Sequence, residues 1–337
     1  MKILFIGGNG NISWYCTQVA LQRGHEVYEL NRGVSTKTRR AIQNEIKRVV
    51  VDRDNLIEMK RLLENCSFDV VCDFICYDEK RAKEDVELFK NKTKHFVFVS
   101  TDAVYKRKQY DCEYQENSEK YSDDIECKYI QGKIRAEKIF IDAYNNGQLP
   151  VTIIRPAYTY DTIFPICVGH NCFTAPSRIL EGYPLLIVGD GKNVSPFTHS
   201  KDFAEAFVRL IENTDTIGDT IQIMSDEYLS WNDQSQIVLE NLGIDKTNYY
   251  HIPFEDALTL EGIHPKDLML QRMYCSKFDL EKLREYLPGW KAQVSFEEGF
   301  QKTLKWLRED KIRMRYVKRV DDELMKIYER YGLKKNE

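Results

Sequence analysis

Residues 3–13 read ILFIGGNGNIS: four apolar residues run straight into a cluster holding Gly7, Gly8 and Gly10, and a helical pattern follows. Such a segment leaves the chain few options. The apolar run is a strand buried on both faces, and glycine permits the positive φ and close backbone approach that a tight strand-to-helix turn needs. A turn of this kind aims backbone N–H groups and a helix N-terminus at one point, which is how a pyrophosphate is held. Gly7 and Gly10 match the first two glycines of G-x-x-G-x-x-G, and Ser13, small enough to keep helix and strand close, stands in place of the third. The turn residues Gly7, Gly8, Asn9, Gly10, Asn11 and Ile12 are therefore candidate cofactor contacts.

Downstream, short β-rich runs alternate with helical patterns: EVYEL, RVVV, then 54–65; DVVCDFI, then DEKRAKEDVELFKN; HFVFVS, then a helix from Tyr129 to Asn146; and VTIIR at 151–155. Parallel strands joined by helical crossovers follow, and the missing polar alternation in HFVFVS fits a sheet covered on both faces. The pattern predicts an α/β, Rossmann-like, doubly wound parallel sheet with a smaller C-terminal α/β substrate domain. With 337 residues there is length for two such units. Residues 1–160 are assigned to the dinucleotide-binding domain, with segments near 196–225 returning to it, and 161–330 to the substrate-binding portion. Residues 106–128 are polar and aperiodic and read as a long surface loop.

Hydrophobic residues at 42%, charged residues at 30% and a formal charge of -4 are ordinary for a packed globular chain. Nothing in that balance advertises nucleic acid or an anionic membrane, so a small-molecule partner is expected. Nine scattered cysteines and an opening without a signal-peptide pattern point to a reducing cytoplasmic setting. No apolar run is long enough to span a bilayer, and no Cys or His spacing builds a metal site.

Ligands of such sheets bind at the carboxyl ends of the strands, and the end of the second strand meets the adenosine ribose. Here that end is Glu29-Leu30-Asn31-Arg32, in which Asn31 and Arg32 are the candidate contacts. A neutral amide and a guanidinium able to pair with a 2′-phosphate favour NADP over NAD. Asp52, closing the third strand, is placed to meet the adenine amino group or to cap the next helix. Arg53, Phe74, Ser100 and Pro156 occupy the same edge after the third, fourth, fifth and sixth strands.

Tyr129 and Lys133 lie four apart on one helix, hence on one face. A phenol with an ordinary pKa near 10 is a weak base at neutral pH until a neighbouring cation stabilises its phenolate. That pair, with Thr101 and Asp102 at the carboxyl end of HFVFVS, can take the proton of a secondary alcohol while a nicotinamide cofactor takes the hydride.

The Gly-rich turn, STDAVY, YxxxK, the RP of IIRPAYTY, GDGKNVSPFTHSKDFA and SKFDLEKLREYLPGW…SFEEGF together resemble the extended short-chain dehydrogenase/reductase family, in its NAD-dependent epimerase/dehydratase branch. The likeness spans nearly the whole chain. It implies a catalytic triad of Thr101, Tyr129 and Lys133, a tightly held NAD(P), oxidation at C4 of a nucleotide-linked sugar, and a homodimer built through the YxxxK helix. Epimerisation through a transient ketone is the expected reaction. Dehydration, net NADPH-dependent reduction, and a non-catalytic dinucleotide- or RNA-binding role are the alternatives. Three departures from the family pattern bear on substrate and reaction. Ala103 stands where the dehydratases carry the second member of an Asp-Glu acid–base pair. Tyr158 and Ser195 stand where an Asn and an Arg contact the sugar nucleotide's phosphates, leaving Lys192, Lys201 or Arg272 as replacements. His199 is read as a fold-supporting residue.

Overall fold

The computed structural model describes residues 1–34, 39–108, 113–169, 172–259 and 271–335. In chain order the first half contains β1 (Lys2–Ile6), α1 (Ser13–Gln22), β2 (Glu26–Asn31), β3 (Lys47–Val50), α2 (Leu56–Leu62), β4 (Phe68–Asp73), α3 (Glu79–Phe89), β5 (Thr93–Val99), β6 (Glu113–Tyr114), α4 (Lys128–Asn145) and β7 (Val151–Pro156). The second half adds β8 (Tyr158–Tyr160), α5 (Thr174–Leu180), β9 (Leu185–Val188), β10 (Val194–His199), α6 (Ser200–Ile211), β11 (Thr220–Ile223), β12 (Tyr228–Ser230), α7 (Trp231–Leu242), β13 (Tyr249–Ile252), α8 (Phe254–Ala257), β14 (Lys277–Phe278), α9 (Glu281–Tyr286), α10 (Phe296–Arg308) and α11 (Lys318–Arg330).

A seven-stranded parallel sheet forms in the order β11-β7-β5-β4-β1-β2-β3. The expected doubly wound α/β architecture is thus present. Alternate side chains of β1 enter different cores: Ile3 and Phe5 pack with α1 and α6, while Leu4 and Ile6 pack with the residues of α2, α3 and α4. Burial on both faces explains the unbroken apolar runs. Chain direction winds outward both ways from β1, so the crevice at the carboxyl ends of β1 and β4 is the place where such a sheet receives a ligand. β11, at 220–223, is the outermost strand beside β7, and α6 packs against α1.

The other strands form small sheets: β8-β10-β12 and β9-β13 around a third core that takes in Tyr160, Phe197, Trp231, Phe296 and Trp306, and β6-β14 in a separate small cluster. Helices begin where capping residues stand. Ser230 accepts from the Asp233 N–H, Ser295 from the Glu298 N–H, and α7 stops at Gly243 with φ +75°.

The stretch at 106–128 corrects the surface-loop reading, although residues 109–112 lie outside the described residues. β6 pairs with β14, and Tyr114 is buried in a cluster with Tyr105 and Phe278. Lys120 reaches the buried Glu137 carboxylate at 3.1 Å. Its partners come from distant parts of the chain, so no local periodicity marks it. Among the described residues, no helix is long and apolar enough to cross a membrane, no group of His, Cys, Asp and Glu could hold a metal, and no disulfide forms.

Candidate active site

The turn between β1 and α1 is as tight as its glycines allow. Gly7 has φ +78°, and a methyl there would meet Ile75 Cγ2 at 2.6 Å; at Gly8 it would meet Glu29 Cγ at 2.8 Å. Ser13 closes the turn, its hydroxyl donating to the Gly7 carbonyl at 2.6 Å and accepting from the Gly10 N–H at 2.8 Å. Ile12, at the N-cap of α1, offers no side-chain cap, and the first turn carries no acid. The Trp14 N–H donates to the Gly10 carbonyl at 3.2 Å, and among the described residues no side chain competes with an anion for the Ile12 and Ser13 N–H groups before it. Among the described residues, Asn9 Oδ1 is buried without a hydrogen-bond partner.

Several expected cofactor contacts have their side chains engaged elsewhere. Asn11 donates to the Thr159 carbonyl at 2.9 Å and accepts from the Asp161 and Thr162 N–H groups at 3.0 Å, bracing the turn after β8. Asn31 donates to Glu29 and accepts from the Gly33 N–H at 2.8 Å, whereas Arg32 is exposed. Asp52 is exposed and does not cap α2; Asn55 does, accepting from the Glu58 N–H at 3.2 Å. Arg53 turns its side chain inward: it is buried and its Nη2 lies 2.5 Å from Asp85 Oδ1, with Asp73 at 3.7 Å, in an interior ion cluster. An isolated buried cation must find such partners. The Ser100 hydroxyl likewise donates inward, to Glu137 Oε1 at 2.6 Å. Phe74 lies at the crevice between Phe5 and Phe207, and Pro156 ends β7 beside Ile223.

Tyr129, Lys133 and Glu137 follow one face of α4 at intervals of four residues. Burial raises the Tyr129 phenol above its ordinary pKa, and a hydrogen bond from the neighbouring Thr101 hydroxyl works the other way. Thr101 also caps the short helical turn 102–104 by accepting from the Ala103 N–H at 3.2 Å. The Lys133 ammonium is buried and donates to the Cys76 and Val99 carbonyl oxygens at 2.9 and 2.7 Å. It is anchored between β4 and β5 and does not reach out from the helix, as the bare YxxxK spacing suggests. Burial lowers its pKa to about 8, against the charges of Cys76, Asp73 and Glu137.

Four further residues shape the site. Glu137 and Arg155 form a buried two-point ion pair. Tyr77, 44% exposed, lies with its ring 5.0 Å from Lys133 Nζ and 6.3 Å from the Tyr129 ring. Gly132 lets α4 press against the 77–78 backbone, since a Cβ there would run into the Tyr77 carbonyl oxygen. One signal was available: an arginine ending the apolar strand VTIIR demands a buried acid.

On the substrate side, Asp102 is buried and ion-paired with Arg107, whose side chain is fully covered, and Ala103 is buried beside it. Tyr158 packs its ring on Phe197 and Trp231. Of the three basic residues considered near it, Lys192 and Lys201 are exposed, while Arg272 is buried with its guanidinium 6.0 Å from the Tyr158 ring and 5.6 Å from Trp231. His199 Nδ1 accepts from the Lys201 N–H at the start of α6, and burial lowers its pKa to about 3.

A family model described as the NAD dependent epimerase/dehydratase family matches residues 3–223, from β1 to β11. The chain belongs to this family. It is 23% identical over 310 residues to the chloroplast stem-loop binding protein of 41 kDa b from Arabidopsis thaliana, covering 88% of this chain and 77% of that one. It is 27% identical over 228 residues to UDP-N-acetyl-alpha-D-glucosaminuronate decarboxylase from Bacillus cytotoxicus, covering 64% of each. The solved structure of Pal from Bacillus thuringiensis superposes with a TM-score of 0.72 at 25% identity, over 92% of this chain and 99% of that one. The matched span of the epimerase/dehydratase model takes in the glycine turn, Thr101, Tyr129 and Lys133.

Proposed function

We propose that this protein is an NAD(P)-dependent epimerase that inverts a secondary alcohol of a nucleotide-linked sugar through a transient ketone. One observation supports the reaction type: Thr101 neighbours Tyr129, with the buried Lys133 one helical turn on, while the acid–base pair for eliminating water is incomplete. Ala103 has no proton to move, and Arg107 holds Asp102 in an ion pair.

The crevice fits a dinucleotide. Gly7 and Gly8 leave no room for a side chain, and the uncapped start of α1 supplies N–H donors for the pyrophosphate. When bound, the nicotinamide supplies a reversible hydride acceptor. Tyr129 removes the sugar hydroxyl proton and later returns it. Thr101 donates to the reacting oxygen, and the buried Lys133 charge favours the phenolate. NADP is favoured over NAD because Asn31 is neutral and its amide is held inward, while Arg32 is exposed at the ribose end. Of the three basic residues, Arg272 is the one we assign to the substrate's diphosphate, because its guanidinium lies beside Tyr158. Residues 1–160 with the segment near 196–225 would hold the cofactor, and 161–330 the substrate. A homodimer through α3 and α4 would cover the half-exposed Ile141 and Tyr144.

The test is a panel of UDP-glucose, UDP-glucuronic acid and dTDP-glucose. An epimerase returns a C4 epimer with no net change at 340 nm, and Tyr129→Phe lowers turnover by about 10²- to 10⁴-fold. Stoichiometric NADPH consumption would mark a reductase. Undiminished turnover by Tyr129→Phe would remove the catalytic reading and raise a binding role such as that named for the Arabidopsis relative.

A further inference from the structure

Residues 39–41, from the connection between β2 and β3, are pinned to the start of α1 and to the turn after β8. Arg39 Nη1 donates to the Asn9 carbonyl, inside the glycine turn, at 3.1 Å. The Trp14 indole N–H, in the first turn of α1, donates to the Ala41 carbonyl at 2.8 Å. Between them Arg40 makes a two-point pair with the buried Asp161 carboxylate at 2.7 and 2.5 Å, its guanidinium surrounded by the rings of Trp14, Tyr15 and Trp306.

The two arginines are therefore in different situations. Arg40 has its charge matched and its donors aligned on one carboxylate. Arg39 is exposed, and among the described residues it meets no carboxylate at ion-pair distance. Its charge nevertheless acts on two groups on opposite sides of the crevice, Glu29 near the end of β2 and Tyr77 beyond β4. A cation bonded to the glycine turn and felt at both sides stands where a bound dinucleotide passes from its adenosine half to its nicotinamide half. The Asn9 carbonyl occupies one of five guanidinium N–H donors, and the planar fork that remains matches phosphate oxygens.

We propose that Arg39 is a cofactor-binding residue that clamps the pyrophosphate at the rim of the glycine turn, held there by the Arg40–Asp161 and Trp14–Ala41 anchors. The proposal rests on reading the crevice as a dinucleotide site. The full-length protein and its Arg39→Met and Arg39→Lys variants are titrated calorimetrically with NADP, NAD, ADP, adenosine 2′,5′-bisphosphate and adenosine. Because Arg39 is exposed, the variants should unfold at the wild-type temperature. Arg39→Met is expected to weaken NADP, NAD and ADP by a similar factor of about 10 to 100 and to leave adenosine unchanged, with Arg39→Lys in between. A loss confined to NADP and adenosine 2′,5′-bisphosphate would assign Arg39 to the 2′-phosphate and overturn the clamp, as would unchanged affinity for all five. Wild-type protein that binds neither dinucleotide would instead remove the reading on which the clamp rests.

Discussion

The carboxylate of Glu137 faces the guanidinium of Arg155 through two parallel hydrogen bonds, Nε to Oε1 at 2.8 Å and Nη2 to Oε2 at 2.7 Å, with both side chains buried. The same carboxylate accepts from Ser100 and Lys120, and burial is outweighed by Arg155 so that its pKa is held down at about 2. Arg155 Nη1 goes on to the Tyr105 hydroxyl at 3.0 Å. One ion pair thus ties the end of β5, helix α4, strand β7 and the 105–120 connection into the frame that holds Thr101, Tyr129 and Lys133.

Glu137→Ala is expected to destabilise the protein by about 3–5 kcal/mol, because it leaves a buried guanidinium unpaired. Urea denaturation at pH 7 measures this. The Glu137→Met/Arg155→Met double variant, which removes both charges, should recover a large share of the loss. A double variant no more stable than Glu137→Ala would show that the unpaired charge is not the cause.

Gly132→Ala inserts a methyl where α4 meets the Tyr77 carbonyl oxygen, so the helix or the 77–78 backbone must move. Overpacking of this kind costs about 1–3 kcal/mol. Since Tyr129 and Lys133 flank the position, turnover should fall further than stability alone explains. Wild-type turnover together with wild-type unfolding would contradict the close packing.

His95 and His199 are depressed to about 4 and about 3 by burial, and for His199 the charges of Lys302, Arg40 and Lys201 add to the effect. Both are neutral in the fold, while their unfolded forms protonate near pH 6.5. The unfolded chain therefore binds more protons below that value, and stability falls with acid, by up to about 1.4 kcal/mol per pH unit for each group. Denaturation midpoints between pH 7.5 and 5 should show the slope, and His199→Gln should reduce it. An unaltered slope in the variant would rule His199 out as a source.

Lys133 titrates near 8 in the fold, since burial opposes its charge. Its unfolded pKa is near 10.4, so between about pH 8 and 10.4 the unfolded chain carries the extra proton and the group's contribution to stability rises with pH. Function runs the other way: loss of the ammonium above pH 8 withdraws support from the Tyr129 phenolate, and turnover should decline on the alkaline side. Following the Lys133 Cε resonance against pH, with Lys133→Arg for assignment, locates the titration. A midpoint near 10 would contradict the burial described.

By itself the sequence determined everything that depends on neighbours a few residues apart. The strand, glycine turn and helix at 3–22, the alternation that builds the parallel sheet, and the face shared by Tyr129 and Lys133 follow from local sterics and periodicity. Tertiary structure alone decided which groups are available for chemistry. Asn11 meets Thr159, Arg40 meets Asp161, Lys133 meets the carbonyls of Cys76 and Val99, and Tyr114 is buried with Phe278. A side chain's partner is set by which strands lie side by side, and that order depends on packing across the whole chain. Arg53 and Ser100 could be placed at the sheet's ligand edge from the strand pattern; whether they face the crevice or the interior depended on buried acids 32 and 37 residues away.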